Sequence, residues 1–133
     1  MPLKSDPSTW TDRRHKLGVE GEEIAKRFLL AAGWSIADHR FRMGRLEIDL
    51  VARRGEVVAF VEVKARIGHA FGSPLEAVRA GKRREIARVA AAWMDRHGRA
   101  SDTYRFDVIG VTLLPQGRPL IEHVENAFWP GWR

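Results

Sequence analysis

Two neighbouring segments decide most of what this chain can become. Leu46-Glu47-Ile48-Asp49-Leu50-Val51-Ala52 and Val57-Val58-Ala59-Phe60-Val61-Glu62-Val63-Lys64 are rich in β-branched and aliphatic residues, and only Arg53-Arg54-Gly55-Glu56 separates them. They predict a hairpin. The unbroken aliphatic run from Val57 to Val61 predicts a strand buried on both faces. Charged groups on such strands are costly to bury unless they have a use or a partner. With Arg54-Gly55 as a two-residue loop, Arg53 faces Glu56, Glu47 lies opposite Glu62 and Asp49 opposite Phe60. Side chains alternate, so Glu47, Asp49, Glu62 and Lys64 share one face. Asp49 and Glu62 become diagonal neighbours with Cβ atoms roughly 7 Å apart, close enough to hold one cation between them. A three-residue loop would instead send Asp49 to the other face. The two-residue reading gives a hard-metal site beside an ammonium group, which suits hydrolysis of a phosphodiester.

Composition limits the partners. A formal charge of +6 and a pI near 10.5 favour a polyanion, nucleic acid before an anionic membrane surface. No apolar run approaches the roughly 20 residues needed to span a bilayer, so no membrane partner is expected. The start, Met1-Pro2-Leu3-Lys4-Ser5-Asp6, lacks an apolar stretch of the kind that directs export, and a cytoplasmic location is expected. The absence of cysteine removes disulfides, thiolate zinc sites and cysteine nucleophiles together. The histidines at 15, 39, 69, 97 and 123 lack metal-ligand spacing, and zinc is not expected. A chain of 133 residues fits one domain.

Along the chain, residues 1–11 read as a flexible tail, 12–128 as the single domain, and 129–133 as an aromatic extension. A first helix is expected from about Asp12 to Ala32, with Leu17, Gly21, Ile24, Ala25, Phe28, Leu29 and Ala32 as its apolar stripe and Gly33 as its stop. Trp34–Arg42 reads as a strand, and the hairpin follows. After a loop over 67–72, Ser73-Pro74-Leu75-Glu76 is a capping box that opens a second helix, ended by Gly98. Tyr104–Leu113 and Leu120–Val124 complete the order α-β-β-β-α-β-β. This is an α/β chain with a central mixed sheet flanked by helices.

Other polar residues carry two readings each. Glu22 borders the first helix's apolar stripe, beside Gly18 and Gly21, where backbone or ligand can approach closely; it could also simply favour the helix dipole. Lys82 sits inside the second helix's stripe and either snorkels or meets an anion. Arg79, Arg83, Arg84 and Arg88 offer phosphate contacts or a solvated face. Asp107 reads as a structural acid satisfied by an arginine or backbone donors. Phe128-Trp129-Pro130-Gly131-Trp132 could stack bases, but fits better a latch on the domain or a contact between the protomers of a homodimer.

Gly18-x-x-Gly21-Glu22-x-x-Ala25, Glu47-Ile48-Asp49-Leu50, Phe60-Val61-Glu62-Val63-Lys64-x-Arg66, Lys82, Arg105-Phe106-Asp107-Val108 and Asn126-Ala127-Phe128 together resemble the YraN-like family of small bacterial proteins. The similarity runs from about Lys16 to Phe128. That family is grouped with restriction-endonuclease-like proteins carrying PD-(D/E)xK motifs and is similar to archaeal Holliday-junction resolvases. The resemblance implies a restriction-endonuclease-like fold, metal ligands at Asp49 and Glu62, the motif lysine at Lys64, a supporting acid at Glu22 and an auxiliary role for Lys82. One departure is Leu46, which stands where the family usually has glycine. The implied chemistry is Mg2+-dependent (or Mn2+-dependent) cleavage of DNA, including branched or structured DNA. Arg66, Lys82 and Arg83 are the expected nucleic-acid contacts, and the catalytic set faces the amino-terminal half of the first helix. The alternatives are a non-catalytic nucleic-acid-binding protein and a protein-interaction module on the same fold.

Overall fold

The computed structural model describes residues 7–68 and 80–128. Its elements are α1 (Pro7–Ala31), β1 (Ser35–Met43), β2 (Leu46–Arg54), β3 (Val57–Ile67), α2 (Ala80–His97), β4 (Thr103–Leu113) and β5 (Leu120–Val124), in the expected order. The strands form one sheet ordered β1-β2-β3-β4-β5. Among the described residues only β3 and β4 run parallel, and α2 lies on the crossover that joins them.

The aliphatic run of β3 occupies the middle of the sheet, and Val58, Ala59, Phe60 and Val61 are all buried. Its alternating faces feed two cores. Val58 and Phe60 join Val51, Phe106 and Val108 beneath Ile86, Val89 and Trp93 of α2. Ala59 and Val61 join Leu50, Ile109 and Val111 beneath Ala25 and Leu29 of α1. A strand covered on both sides has no place for alternating polar residues, which explains its composition.

Three expectations change. Helix α1 begins at Pro7, inside the expected tail, and the preset φ of proline suits a first helical position. The β2–β3 loop is Gly55-Glu56, because Arg54 pairs with Val57. Gly55 has φ 62°, and the type of two-residue turn that places its positive φ first requires glycine there. First-helix closure differs by one residue: α1 ends at Ala31, and Gly33 (φ 92°) follows, with Trp34 N–H donating to Leu29 O at 3.0 Å. The capping box at Ser73–Glu76 and most of the 67–72 loop lie outside the described residues.

The two helix glycines differ in kind. A Cβ on Gly21 would sit 2.5 Å from Ala65 Cβ of β3, whereas one on Gly18 would meet nothing within 4 Å. Gly18→Ala is therefore expected to raise stability by about 0.5–1 kcal/mol by removing a flexible helix residue. Gly21→Ala is expected to lower it by about 1–3 kcal/mol through overpacking. Chemical denaturation of the two variants checks this, and equal effects would remove the close α1–β3 approach.

Candidate active site

The shifted loop moves β2 against β3 by two residues, and an even slip keeps the paired residues 50–54 on their expected faces. Ile48, by contrast, lies in the α2-side core and Leu50 in the α1-side core. Leu50 pairs with Val61, which brings Asp49 level with Glu62 where a diagonal was expected. Asp49 Oδ2 accepts the Val63 N–H at 2.8 Å. The two carboxyl groups lie close enough for each to act on the ionisation of the other. Glu62 lies on the α2 side of β3, by alternation from Val58 and Phe60, and Lys82 Nζ approaches its Oε1 at 3.9 Å. Glu62 thus faces α2, where the amino-terminal half of α1 was expected, while Asp49 still feels the charge of Glu22 on α1.

Burial dominates the electrostatics. Glu62 is 6% exposed, and its Oε2 has no hydrogen-bond partner. Loss of water, followed by the nearby Asp49 charge, pushes the Glu62 carboxyl up to about 8, with Lys82 and Lys64 opposing. Asp49 is also raised by burial, against the Val63 N–H that favours its charged form. Burial and mutual repulsion therefore favour the protonated form at this pair more than at an isolated carboxylate in water. Lys64 follows Glu62 on the same face and its charge acts on that carboxyl.

The other expected residues are distributed differently. Glu22 Oε1 accepts from His39 Nε2 and Arg40 Nε, each at 3.0 Å, and its charge acts on Asp49. Arg66 Nε donates to Thr112 Oγ1 at 3.2 Å, across the parallel β3–β4 register. The Arg83 guanidinium lies 5.2 Å from the Phe128 ring centroid. Phe128 itself is buried and packs on Phe106, as a latch would. Asp107 is the structural acid expected, bonded by Arg105, His123 and the Asn126 N–H. Among the described residues, no group of three or more His, Asp or Glu side chains is disposed to hold a metal.

Sequence reasoning missed the partners. The bidentate Arg53–Asp102 pair, at 2.6 and 3.0 Å, fixes the start of β4 to the end of the hairpin, and it holds Asp102 down at about 2. Asp38 accepts from Trp93 Nε1 at 3.1 Å, tying edge strand β1 to α2. Neither pair leaves a local signal. Arg40 is the third omission: its side chain reaches Glu22 from a backbone with φ 55°.

Fold and site together define a small mixed α/β protein with an acidic pair on its central hairpin, Glu62 buried and Asp49 half-buried, and lysines from β3 and α2 near it. The chain belongs to the uncharacterised protein family UPF0102, whose pattern matches residues 21–111. The expected YraN-like resemblance is met at this level. A UPF0102 protein of Geobacter sulfurreducens is 44% identical over 112 residues, covering 84% of this chain and 88% of that one. Another from Frankia alni is 45% identical over 112 residues (84% and 93%), and one from Symbiobacterium thermophilum 42% over 113 residues (85% and 96%). Among the described residues, no helix is long and apolar enough to cross a membrane.

Proposed function

We propose that this protein is a divalent-metal-dependent endonuclease of restriction-endonuclease-like type, acting on DNA and in particular on branched or structured DNA. One observation carries the reading: Glu62, buried against Asp49, keeps a carboxylate oxygen without a partner. Two like-charged carboxyls placed together at such desolvation cost are well matched to a hard cation. Asp49 and Glu62 would hold Mg2+ or Mn2+, with water completing its shell. When bound, the ion polarises the phosphate and activates water. Lys64 orients the attacking water and offsets the charge that develops on the phosphate oxygens. Water adds to phosphorus as the bond to one ester oxygen breaks, leaving a phosphomonoester and a hydroxyl end. Lys82 balances the acidic pair, and the net positive charge supports a polyanionic substrate.

A second reading, nucleic-acid binding without cleavage, is favoured by the Lys82 ammonium, which already neutralises part of the pair at 3.9 Å. Thermal unfolding with Mg2+ or Mn2+, followed by a nuclease assay over duplex, single-stranded, flap and four-way DNA, separates the two. The parent is expected to gain about 2.7 kcal/mol when metal exceeds its Kd a hundredfold, and to cleave. Asp49→Asn is expected to remain folded and lose both responses. Unchanged stability of the parent with either metal would leave only the second reading.

A further inference from the structure

Strand β1 has an irregularity between Ile36 and Asp38, and it breaks the alternation of its side chains again at Arg40. Consecutive side chains in a strand point to opposite faces, yet His39 Nε2 and Arg40 Nε both lie 3.0 Å from Glu22 Oε1. The cause is Arg40, whose φ of 55° places a residue with a Cβ in the left-handed region. Flanking pairs His39–Leu50 and Phe41–Ile48 hold the strand in register around it. Such strain persists only where the surroundings enforce it, and it concentrates at binding sites.

The turned guanidinium lines a cleft of about 300 Å³ between the amino-terminal half of α1 and the β1–β2 hairpin. Arg14, Gly18, Glu22, Arg42 and Glu47 line it as well. Arg42 Nε donates to Glu47 Oε2 at 2.6 Å. Both carboxylates therefore hold their arginines through Nε, and these bonds do not use the Nη ends. Arg14 makes no ion pair among the described residues. Three guanidiniums face two carboxylates, so the cleft keeps an unmatched positive charge. Gly18 leaves its floor open, since a Cβ there meets nothing within 4 Å. The cleft also adjoins the acidic pair, because its lining residue Glu47 lies two residues from Asp49 on β2.

We propose that this cleft is a phosphate-binding site that holds one internal phosphodiester group of a nucleic-acid strand beside the Asp49–Glu62 pair. Guanidinium forks match phosphate oxygens in pairs, and carboxylates that grip Nε set those forks in place beforehand. The proposal rests on the nucleic-acid reading above, but its test needs neither metal nor cleavage.

The test is fluorescence anisotropy in EDTA with a labelled oligonucleotide, with and without a 5′-phosphate, titrated at several salt concentrations. Arg14→Ala with Arg42→Ala is expected to weaken binding of both oligonucleotides at least tenfold at low salt. The dependence of log affinity on log salt should become shallower by about one unit for each arginine–phosphate pair removed. Gly18→Glu, which fills the floor with a negative charge, is expected to weaken binding similarly. Circular dichroism verifies that each variant is folded, and Gly18→Glu serves if the double variant is not. Parent-like binding by the variants at every salt overturns the proposal. So does an effect confined to the 5′-phosphorylated oligonucleotide, which would make the site one for strand ends. Weakened variants of a parent that never cleaves would sink the nuclease reading and leave the cleft standing. Cleavage by a parent whose variants bind normally would do the reverse.

Discussion

Asp107→Ala is expected to destabilise the protein by about 3–5 kcal/mol, the cost of removing one partner from a buried charge cluster. Asp107 is fully buried on the α1 side of β4. Its Oδ2 accepts from His123 Nε2 at 2.7 Å and Arg105 Nη2 at 3.1 Å, and its Oδ1 accepts the Asn126 N–H at 3.0 Å. Alanine removes the acceptor of all three donors at once, leaving Arg105 Nη2 only its longer contact with the more exposed Glu125 at 3.7 Å. Arg105 has no room to turn to water, since its side chain is 19% exposed, its Nε is already unpartnered, and its guanidinium lies against Trp34 at 4.9 Å. The Asn126 bond also secures a residue in the left-handed region (φ 50°), just ahead of the Ala127 and Phe128 closure on Phe106. Loss of that bond should therefore loosen the carboxyl-terminal latch as well. Against a typical total stability of about 5–15 kcal/mol, the change lowers the thermal midpoint by roughly 10–20 °C. Asp107→Asn keeps an acceptor and should lose less. A midpoint within a few degrees of the parent would show that the cluster contributes little.

Asp107 and the acidic pair differ in how far the sequence discloses them. An acid inside a β-rich segment, with Arg105 two residues away and no second acid nearby, already reads as structural. The facing of Asp49 toward Glu62 is legible too, for a reason that tolerates error. Gly55 could take either central position of the turn, and the two choices differ by two residues of register. Side chains repeat every two residues, so either choice keeps both carboxyls on one face. What changes is whether they are diagonal or level, and level is closer.

The surroundings of the site are not legible in this way. Arg53 and Asp102 are separated by 49 residues, and Asp38 and Trp93 by 55. Their pairing follows from how β4 and α2 are placed on the sheet, not from any local pattern. Arg40 is harder still. Arginine has no preference for a left-handed backbone, and a regular strand would have turned it away from Glu22. Helix propensity and strand alternation thus predict the frame well. They fail where tertiary contacts override them, at the cleft beside the acidic pair.

Glu62→Gln is expected to change the pH dependence of stability more than any other single substitution at the site. Burial and the Asp49 charge raise the Glu62 carboxyl to about 8 in the folded protein, from 4.5 when unfolded. Between those values the folded state binds the extra proton. Stability from this group is therefore full below about pH 4.5 and falls as pH rises toward 8, by at most about 1.4 kcal/mol per pH unit. Across the whole window the parent should lose about 4 kcal/mol that the glutamine variant, which cannot ionise, does not. The variant should match the parent near pH 5 and exceed its midpoint clearly at pH 8. Divalent metal works in the opposite direction, since it binds the ionised pair. Mg2+ or Mn2+ at pH 8 should restore stability to the parent and leave Glu62→Gln unmoved. Denaturant titrations of both proteins at pH 5, 6, 7 and 8, with metal and with EDTA, measure the proton and metal effects separately. A parent–variant difference that stays constant with pH would mean that Glu62 ionises as an ordinary surface carboxylate.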